Sequence, residues 1–351
     1  MQVDRLAADA EWDWDSFLRR HAGALFAHSL AYRDLLVEEL GCDAEYLVVR
    51  EGGEIRGVLP LMWTEGPGGR ICNSLPFNGS HGGALAADSR ADAALIDAWN
   101  ERASDPDTLA ATMIENPFRE GGAPEPVHEF TDERVTQFTV LPPAEGGEAA
   151  VRALISPEAR SNVRRAARRG VEIELDDSAL PEVHRIHEQV MTGFGVRPKS
   201  RRFFDSIAEL LRPRDDFDVW VARVEGEVAA ALLVIRFAGV SEYFASGTLD
   251  GFRRHHPHPA LVYAAMVEET RRGARIWNWG GTRDGMDGVF HFKRKWGSLA
   301  GRYRYFVRVN DRSLLDAAPG EIVARFPGFY VVPFSALRSG VAVGESGMMR
   351  A

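Results

Sequence analysis

The run His291-Phe292-Lys293-Arg294-Lys295-Trp296-Gly297 sets three cations among two aromatics, in a chain whose formal net charge is -9. A lysine seated beside bulky rings lies partly out of water, where its charge acts more strongly on negative charge that develops during a reaction. Lys293, with Phe292 next to it, is therefore the candidate for stabilising an oxyanion. Taken alone, these residues also fit a solvated basic turn pinned to the core by Trp296. Shortly before them stands Gly280-Gly281-Thr282-Arg283-Asp284-Gly285-Met286-Asp287-Gly288. It lacks the closing Gly-Lys-Ser/Thr of a phosphate loop and the GxGxxG spacing, so it reads as a substrate-shaping loop that delivers Lys293. No Ser/His/Asp arrangement or nucleophile elbow is present, which favours direct transfer over a covalent enzyme intermediate.

Two further stretches are suited to anions. A helix is expected from Ser156 as N-cap, with Pro157 at N1, to Gly170. It carries Arg160, Arg164, Arg165, Arg168 and Arg169, of which the first, second and fourth share one face. Five like charges within about three turns repel one another, so the face reads as a phosphate site or as a solvated surface paired with distant acids. The second stretch is Arg253-Arg254-His255-His256-Pro257-His258-Pro259, which feeds a helix expected to have Pro259 at N1 and to stop at Gly273. Free backbone N–H groups, the helix dipole and two arginines make this an anion site. Its histidines lack partner cysteines and HExxH spacing, so no metal site is expected. The acids available to move a proton are Glu115, Asp284 and Glu242.

The elements that must position these groups fall into two halves. Residues 45–63 align without gaps on residues 218–236, with identities at Val48/Val221, Arg50/Arg223, Gly53/Gly226, Glu54/Glu227 and Leu59/Leu232. Both copies read as strand, tight turn, strand, and both follow a helix-like segment, 32–40 and 202–211. A duplicated α/β unit is the expectation, with the Pro- and Gly-rich stretch 142–147 as linker. The boundaries are then 1–150, with 316–351 as a candidate completion, and 151–315. Further strands are expected at 70–77, 108–114, 134–141, 240–246, 275–279 and 302–309. With 351 residues and 45% hydrophobic composition, each half can bury a core. Residues 156–315 hold 27 Lys and Arg against 21 Asp and Glu, and the remainder 15 against 30. The basic half suggests a nucleotide, a coenzyme or an RNA end as ligand. Two cysteines give no disulfide framework, no apolar leader or membrane-length run is visible, and a cytoplasmic setting is expected.

In this order, Arg160-Ser-Asn-Val-Arg-Arg-Ala-Ala-Arg-Arg-Gly-Val171, the hairpin at 218–236, the Pro-started helix near 259, Trp277-Asn-Trp-Gly-Gly-Thr282 and Phe292-Lys-Arg-Lys-Trp-Gly297 resemble the second domain of the FemABX group. That group belongs to the GNAT acyltransferase superfamily. Ser74-Leu-Pro-Phe77 with Gly82-Gly83 resembles the first domain of FemAB-like proteins. The resemblance covers roughly residues 25 to 310 and implies mixed α/β sheets in two tandem GNAT-like domains. It implies aminoacyl transfer from aminoacyl-tRNA to an amine, with no bound cofactor. Acyl-CoA is the alternative donor, with an amino sugar or metabolite as acceptor. By similarity Phe292 and Lys293 are the catalytic pair; the anion-suited stretches described above make Arg164, Arg165, Arg253 and Arg254 the candidates for the donor phosphates. A basic residue among Arg197, Lys199 and Arg201 faces the acceptor. Leu36 and Asn116-Pro117 stand where the family has a nucleotide-binding lysine and Asp-Pro, which leaves a small-molecule or peptide amine as acceptor. A non-catalytic RNA- or nucleotide-binding module is the third class, with anion binding but no transfer.

Overall fold

The computed structural model describes residues 1–338 apart from 77–80, 119–123, 194, 196 and 283–285. Its strands are β1 (Gln2–Arg5), β2 (Asp43–Glu51), β3 (Glu54–Gly66), β4 (Gly69–Asn73), β5 (Leu85–Ala86), β6 (Thr108–Ile114) and β7 (Phe130–Val140), then β8 (Val171–Leu175), β9 (Phe217–Val224), β10 (Glu227–Phe237), β11 (Val240–Thr248), β12 (Ile276–Thr282) and β13 (Leu299–Val309). The helices are α1 (Glu11–Arg20), α2 (Leu30–Leu40), α3 (Ser89–Ala103), α4 (Gly147–Leu154), α5 (Pro157–Arg168), α6 (Leu180–Gly193), α7 (Arg201–Leu210), α8 (Pro257–Arg271), α9 (Asp287–Arg294) and α10 (Pro319–Arg325). None of them is long and apolar enough to cross a membrane.

The chain divides into two units, Met1–Val135 with the described residues from Arg302 onward, and Thr136–Gly301. The divisions fall inside β7 and β13. The stretch 142–147, read as a linker, lies within the second unit, where α4 follows it directly.

Each unit repeats one plan. In the first, the strand order is β1-β2-β3-β4-β6-β13, with β5 on β3, and α3 packs Leu95 and Trp99 onto Leu47, Leu59 and Met113. In the second it is β7-β12-β11-β10-β9-β8, and α8 packs Leu261, Val262 and Met266 with Trp220, Leu232 and Trp277. Alternation along β10 sends Ala230, Leu232 and Val234 to the α8 side, while α6 lies against β10 and β11 as well. The two hairpins match in detail. Arg50 donates to Gly53 O (2.7 Å) and Arg223 to Gly226 O (3.4 Å). Gly53 and Gly226 both take the left-handed backbone that such turns require (φ 89° and 82°). Each hairpin also skips one residue of its second strand, Arg56 between Ile55 and Gly57, and Ala229 between Val228 and Ala230. The repeat seen in the sequence is thus a repeat of bulge and turn.

Several elements differ from expectation. Helix α8 begins at Pro257 rather than Pro259, because the first four N–H groups of a helix bond to nothing within it and a second proline there loses nothing. The strand expected at 70–77 ends at Asn73, where buried Leu75 turns the chain with φ 64°, and Phe77 lies outside the described residues. Lys293 sits on a helix, α9, not at the end of a loop.

Gly247 marks where α6 crosses β11. A Cβ there would lie 2.5 Å from Ile186 Cγ2 and 3.0 Å from Val190 Cγ2. Gly247→Ala is expected to lower unfolding stability by about 1–3 kcal/mol through this overpacking, measured as the urea midpoint. An unchanged midpoint would show that the crossing has room to spare.

Candidate functional site

In the second unit the parallel pair β11/β12 bonds over three rungs only: Val240 to Ile276, Ser241 to Trp277, and Glu242 to Asn278. Both strands continue beyond that point, β11 to Thr248 and β12 to Thr282. Since β10 and β7 flank them, the strands part in the middle of a sheet and leave backbone groups without ladder partners there. The cause is local. On β11, Tyr243 faces Val234 and Ala245 faces Leu233, so Phe244 is an extra residue; such a bulge bends a strand and raises its twist. On β12, the Asn278 side chain takes the Gly280 N–H (2.9 Å), and Gly280 turns at φ 69°.

Aromatic rings line the opening on the α8 side. The His258 and Phe292 rings are nearly parallel, with centroids 5.2 Å apart. Tyr243 lies 5.1 Å from Trp279, and Trp279 meets Phe292 edge-on at 6.1 Å. Tyr243 Oη is 2.6 Å from His258 Nε2, and Ser246 Oγ donates to Tyr243 Oη. Burial pushes the His258 imidazole down to about 4 and raises the Tyr243 phenol, so both are neutral near pH 7. Sequence reasoning missed Tyr243 and Ser246. They stood in an expected strand, with no glycine or proline to announce the bulge.

Lys293 is 5% exposed and holds the end of β12. Its ammonium donates to Gly281 O (3.0 Å), Thr282 Oγ1 (2.9 Å) and, less closely, Gly280 O (3.4 Å). Thr282 in turn donates to Gln137 Oε1 (3.0 Å), and Gln137 Nε2 donates to Ser298 Oγ (3.0 Å) and Phe290 O (3.2 Å). The ammonium, the Thr282 hydroxyl and the Gln137 amide each donate to a named acceptor, which fixes the position of the cation. No carboxylate among the described residues pairs with it, and burial lowers its pKa to about 8.

The expected phosphate residues separate into two groups. Arg160 is a structural clamp, donating to Arg152 O (3.0 Å) and Ile155 O (2.8 Å) at the end of α4. Arg164, Arg165, Arg168 and Arg169 are exposed, and none forms an ion pair with a described residue. Near them is His256, the N-cap of α8, which offers no side-chain cap to the free N–H groups. Its pKa is lowered first by burial and then by the charges of Arg169 and Arg165. Arg253 pairs with Asp250 (2.8 Å), and Arg254 donates to His255 Nε2 (3.1 Å).

Of the acceptor candidates, Lys199 Nζ lies 5.7 and 5.9 Å from the Phe203 and Phe244 ring centroids, beside the bulge. Alternation puts Glu242 on that same side of β11, opposite Tyr243. Arg201 faces Asp205 (3.7 Å) and Arg197 is exposed. Asp284 lies outside the described residues. Glu115 belongs to the first unit, where its carboxylate accepts from Arg304 N, Nε and Nη2 at 2.9–3.1 Å.

The first unit has a parallel pair of its own, β4/β6, bonded from Arg70/Thr108 to Asn73/Thr112. There the chain covers the site itself. Asn73 Nδ2 donates to Tyr330 O (2.8 Å), Tyr330 N donates to Asn73 Oδ1 (2.8 Å), and Thr112 Oγ1 donates to Tyr330 O (3.3 Å). Helix α3, the counterpart of α8, is capped by the Asp88 carboxylate, which accepts from Arg90 N and Ala91 N.

Residues 157–294, all within the second unit, match the model of an acetyltransferase (GNAT) domain. No curated protein matches the sequence. Among solved structures, FemX is similar with a TM-score of 0.67 at 16% identity, over 90% of this chain and 98% of that one. The C-terminal domain of a putative lysylphosphatidylglycerol synthetase from Agrobacterium fabrum gives 0.52 at 14%, over 93% and 99%. A tandem GNAT protein from the clavulanic acid biosynthesis pathway gives 0.50 at 14%, over 88% and 98%. At such identities the likeness is one of fold: mixed α/β, with two GNAT-like units in tandem.

The buried cation has a measurable consequence. Lys293 titrates at about 8 when folded against 10.5 for the free side chain. Between those values the unfolded chain holds a proton that the folded chain has released, so stability rises with pH across the window. Relative to Lys293→Met, the wild-type chain is expected to gain up to about 3 kcal/mol between roughly pH 7 and pH 10. Urea unfolding of both at the two pH values checks this, and parallel pH profiles would refute the burial of the charge.

Proposed function

We propose that this chain is an N-acyltransferase that moves an aminoacyl group from aminoacyl-tRNA to an amine of a small-molecule or peptide acceptor. The observation that carries the proposal is the parted β11/β12 pair, with a buried cation at one strand end and an uncapped, arginine-flanked helix N-terminus at α8. The first unit does not offer the same site. At its α3 N-terminus the Asp88 carboxylate, itself paired with Arg56, already takes the N–H groups of Arg90 and Ala91, and Tyr330 covers the ends of β4 and β6. The donor is therefore assigned to the second unit, one per chain.

Arg164, Arg165, Arg168 and Arg169, which form no ion pair with a described residue, extend along α5 and its C-cap over more length than one pyrophosphate needs. This favours an RNA 3′ end, as does the resemblance to FemABX proteins. Arg253 and Arg254 flank the same helix start. The amine attacks the ester carbonyl, and a tetrahedral oxyanion forms. The Lys293 donor that reaches Gly280 O over 3.4 Å is the one an oxyanion takes over most readily. We assign the acceptor's carboxylate or phosphate to Lys199, whose ammonium lies over the Phe203 and Phe244 rings. The second reading is transfer from acyl-CoA, which the match of residues 157–294 to an acetyltransferase domain favours.

Donor choice separates the two. The purified chain is offered charged tRNA, with and without ribonuclease, and separately a panel of acyl-CoAs, each with a mixture of amine acceptors. Ribonuclease-sensitive amide formation is the expected result; transfer from CoA alone would replace the first reading with the second. With the active donor, Lys293→Ala is expected to lower turnover about 10²–10³-fold. Wild-type turnover should fall as pH rises through about 8, where the ammonium loses its proton. Turnover that instead rises through that pH would make Lys293 a base. Arg164→Glu with Arg165→Glu should raise the KM for donor severalfold while leaving kcat nearly unchanged.

A further inference from the structure

We propose that Ser246, Tyr243 and His258 form a proton relay that carries the acceptor amine's proton away and returns it to the leaving group, an assignment that rests on the acyl-transfer reading of the same site. Strand alternation alone would put residues 243 and 246 on opposite faces of β11. The extra residue Phe244 shifts the count by one, so both face α8: Tyr243 pairs with Val234 and Ser246 with Leu232, whose side chains belong to the α8 core. There Ser246 Oγ donates to Tyr243 Oη, and Tyr243 Oη lies 2.6 Å from His258 Nε2. With Ser246 donating to Tyr243 Oη, the phenol hydrogen is left for His258 Nε2, so the relay requires Nδ1 to be the protonated nitrogen.

The geometry gives the wire a direction and two ends. Ser246, partly exposed beyond the last β11/β12 rung, is the end a substrate can reach. His258 is the terminal acceptor, and its ring is held by stacking on Phe292 and by prolines on either side of it in the chain. Burial keeps the imidazole neutral and the phenol protonated at neutral pH, the forms the relay needs at rest. As the C–N bond forms, the amine gives a proton to Ser246 Oγ, Ser246 passes its own to Tyr243 Oη, and Tyr243 passes its own to His258 Nε2. When the carbonyl carbon's bond to the leaving oxygen breaks, the same three transfers run backwards and the proton ends on that oxygen. In the CoA reading it ends on sulfur. No co-reactant is needed, and the enzyme regains its starting state.

Two measurements on the full chain test this. In ¹⁵N spectra of the histidine side chains, assigned with His258→Gln, His258 is expected as the Nδ1–H tautomer at neutral pH. Tyr243→Phe removes the hydrogen bond that favours the neutral ring and should shift its titration to higher pH. An Nε2–H tautomer would overturn the relay whatever the activity. In single-turnover amide formation with hydroxylamine as acceptor and charged tRNA or acetyl-CoA as donor, Tyr243→Phe and His258→Gln should each lose about 10²-fold or more. Their double variant should lose no more than either, since one break already stops the wire. Losses that multiply in the double variant would overturn the relay and leave the acyltransferase reading intact. Absence of wild-type transfer from both donors would sink that reading and the relay with it.

Discussion

Almost everything distinctive in the second unit follows from β11 and β12 ceasing to bond after Glu242 and Asn278. A sheet that parts at its centre carries a cost, because backbone groups lose their ladder partners. Three compensations surround the gap. The Asn278 side chain takes one N–H, the Lys293 ammonium binds the carbonyls of Gly280 and Gly281, and a layer of aromatic rings lines the α8 side. Lys293 therefore has two duties that cannot be cleanly separated. It satisfies carbonyls that the parted strands leave open, and it holds positive charge beside the space they enclose.

The two units show how one plan yields different chemistry. Both have the hairpin with its skipped residue, a third antiparallel strand, a helix, and then a parallel strand. What separates them is charge at one helix start and cover at one pair of strand ends. Asp88, paired with Arg56, caps α3, whereas α8 begins at a left-handed His256 with arginines nearby. Asn73 and Thr112 hold the backbone of Tyr330, whereas the corresponding strands of the second unit meet ring side chains instead. A plan used twice has been left with one parallel pair whose neighbouring helix start is flanked by arginines.

How much of this could be read from the sequence depended on whether the signal was local. The hairpin repeat was legible because Arg50/Arg223 and Gly53/Gly226 each serve the same turn in both copies. Lys293 was legible as a cation among aromatics, but its partners were not, since they are main-chain oxygens that any residue could supply. Arg160 looked equivalent to Arg164 because both lie on one helical face. Only the position of the α4 carbonyls distinguishes them. The bulge at Phe244 left no trace, as phenylalanine is an ordinary strand residue and the register shift shows only in the pairing of β11 with β10. Without that shift Tyr243 and Ser246 belong to opposite faces, so no reading of residue types could have joined them.

That register shift has a consequence for how such a site is inherited. Tyr243 and Ser246 meet because of how many residues lie between them, not because of which residues those are. Exchanging Phe244 for another strand-forming side chain keeps the count; removing it swaps every later residue of β11 to the other face. The arrangement is thus buffered against point substitution at its centre and fragile to a single-codon deletion.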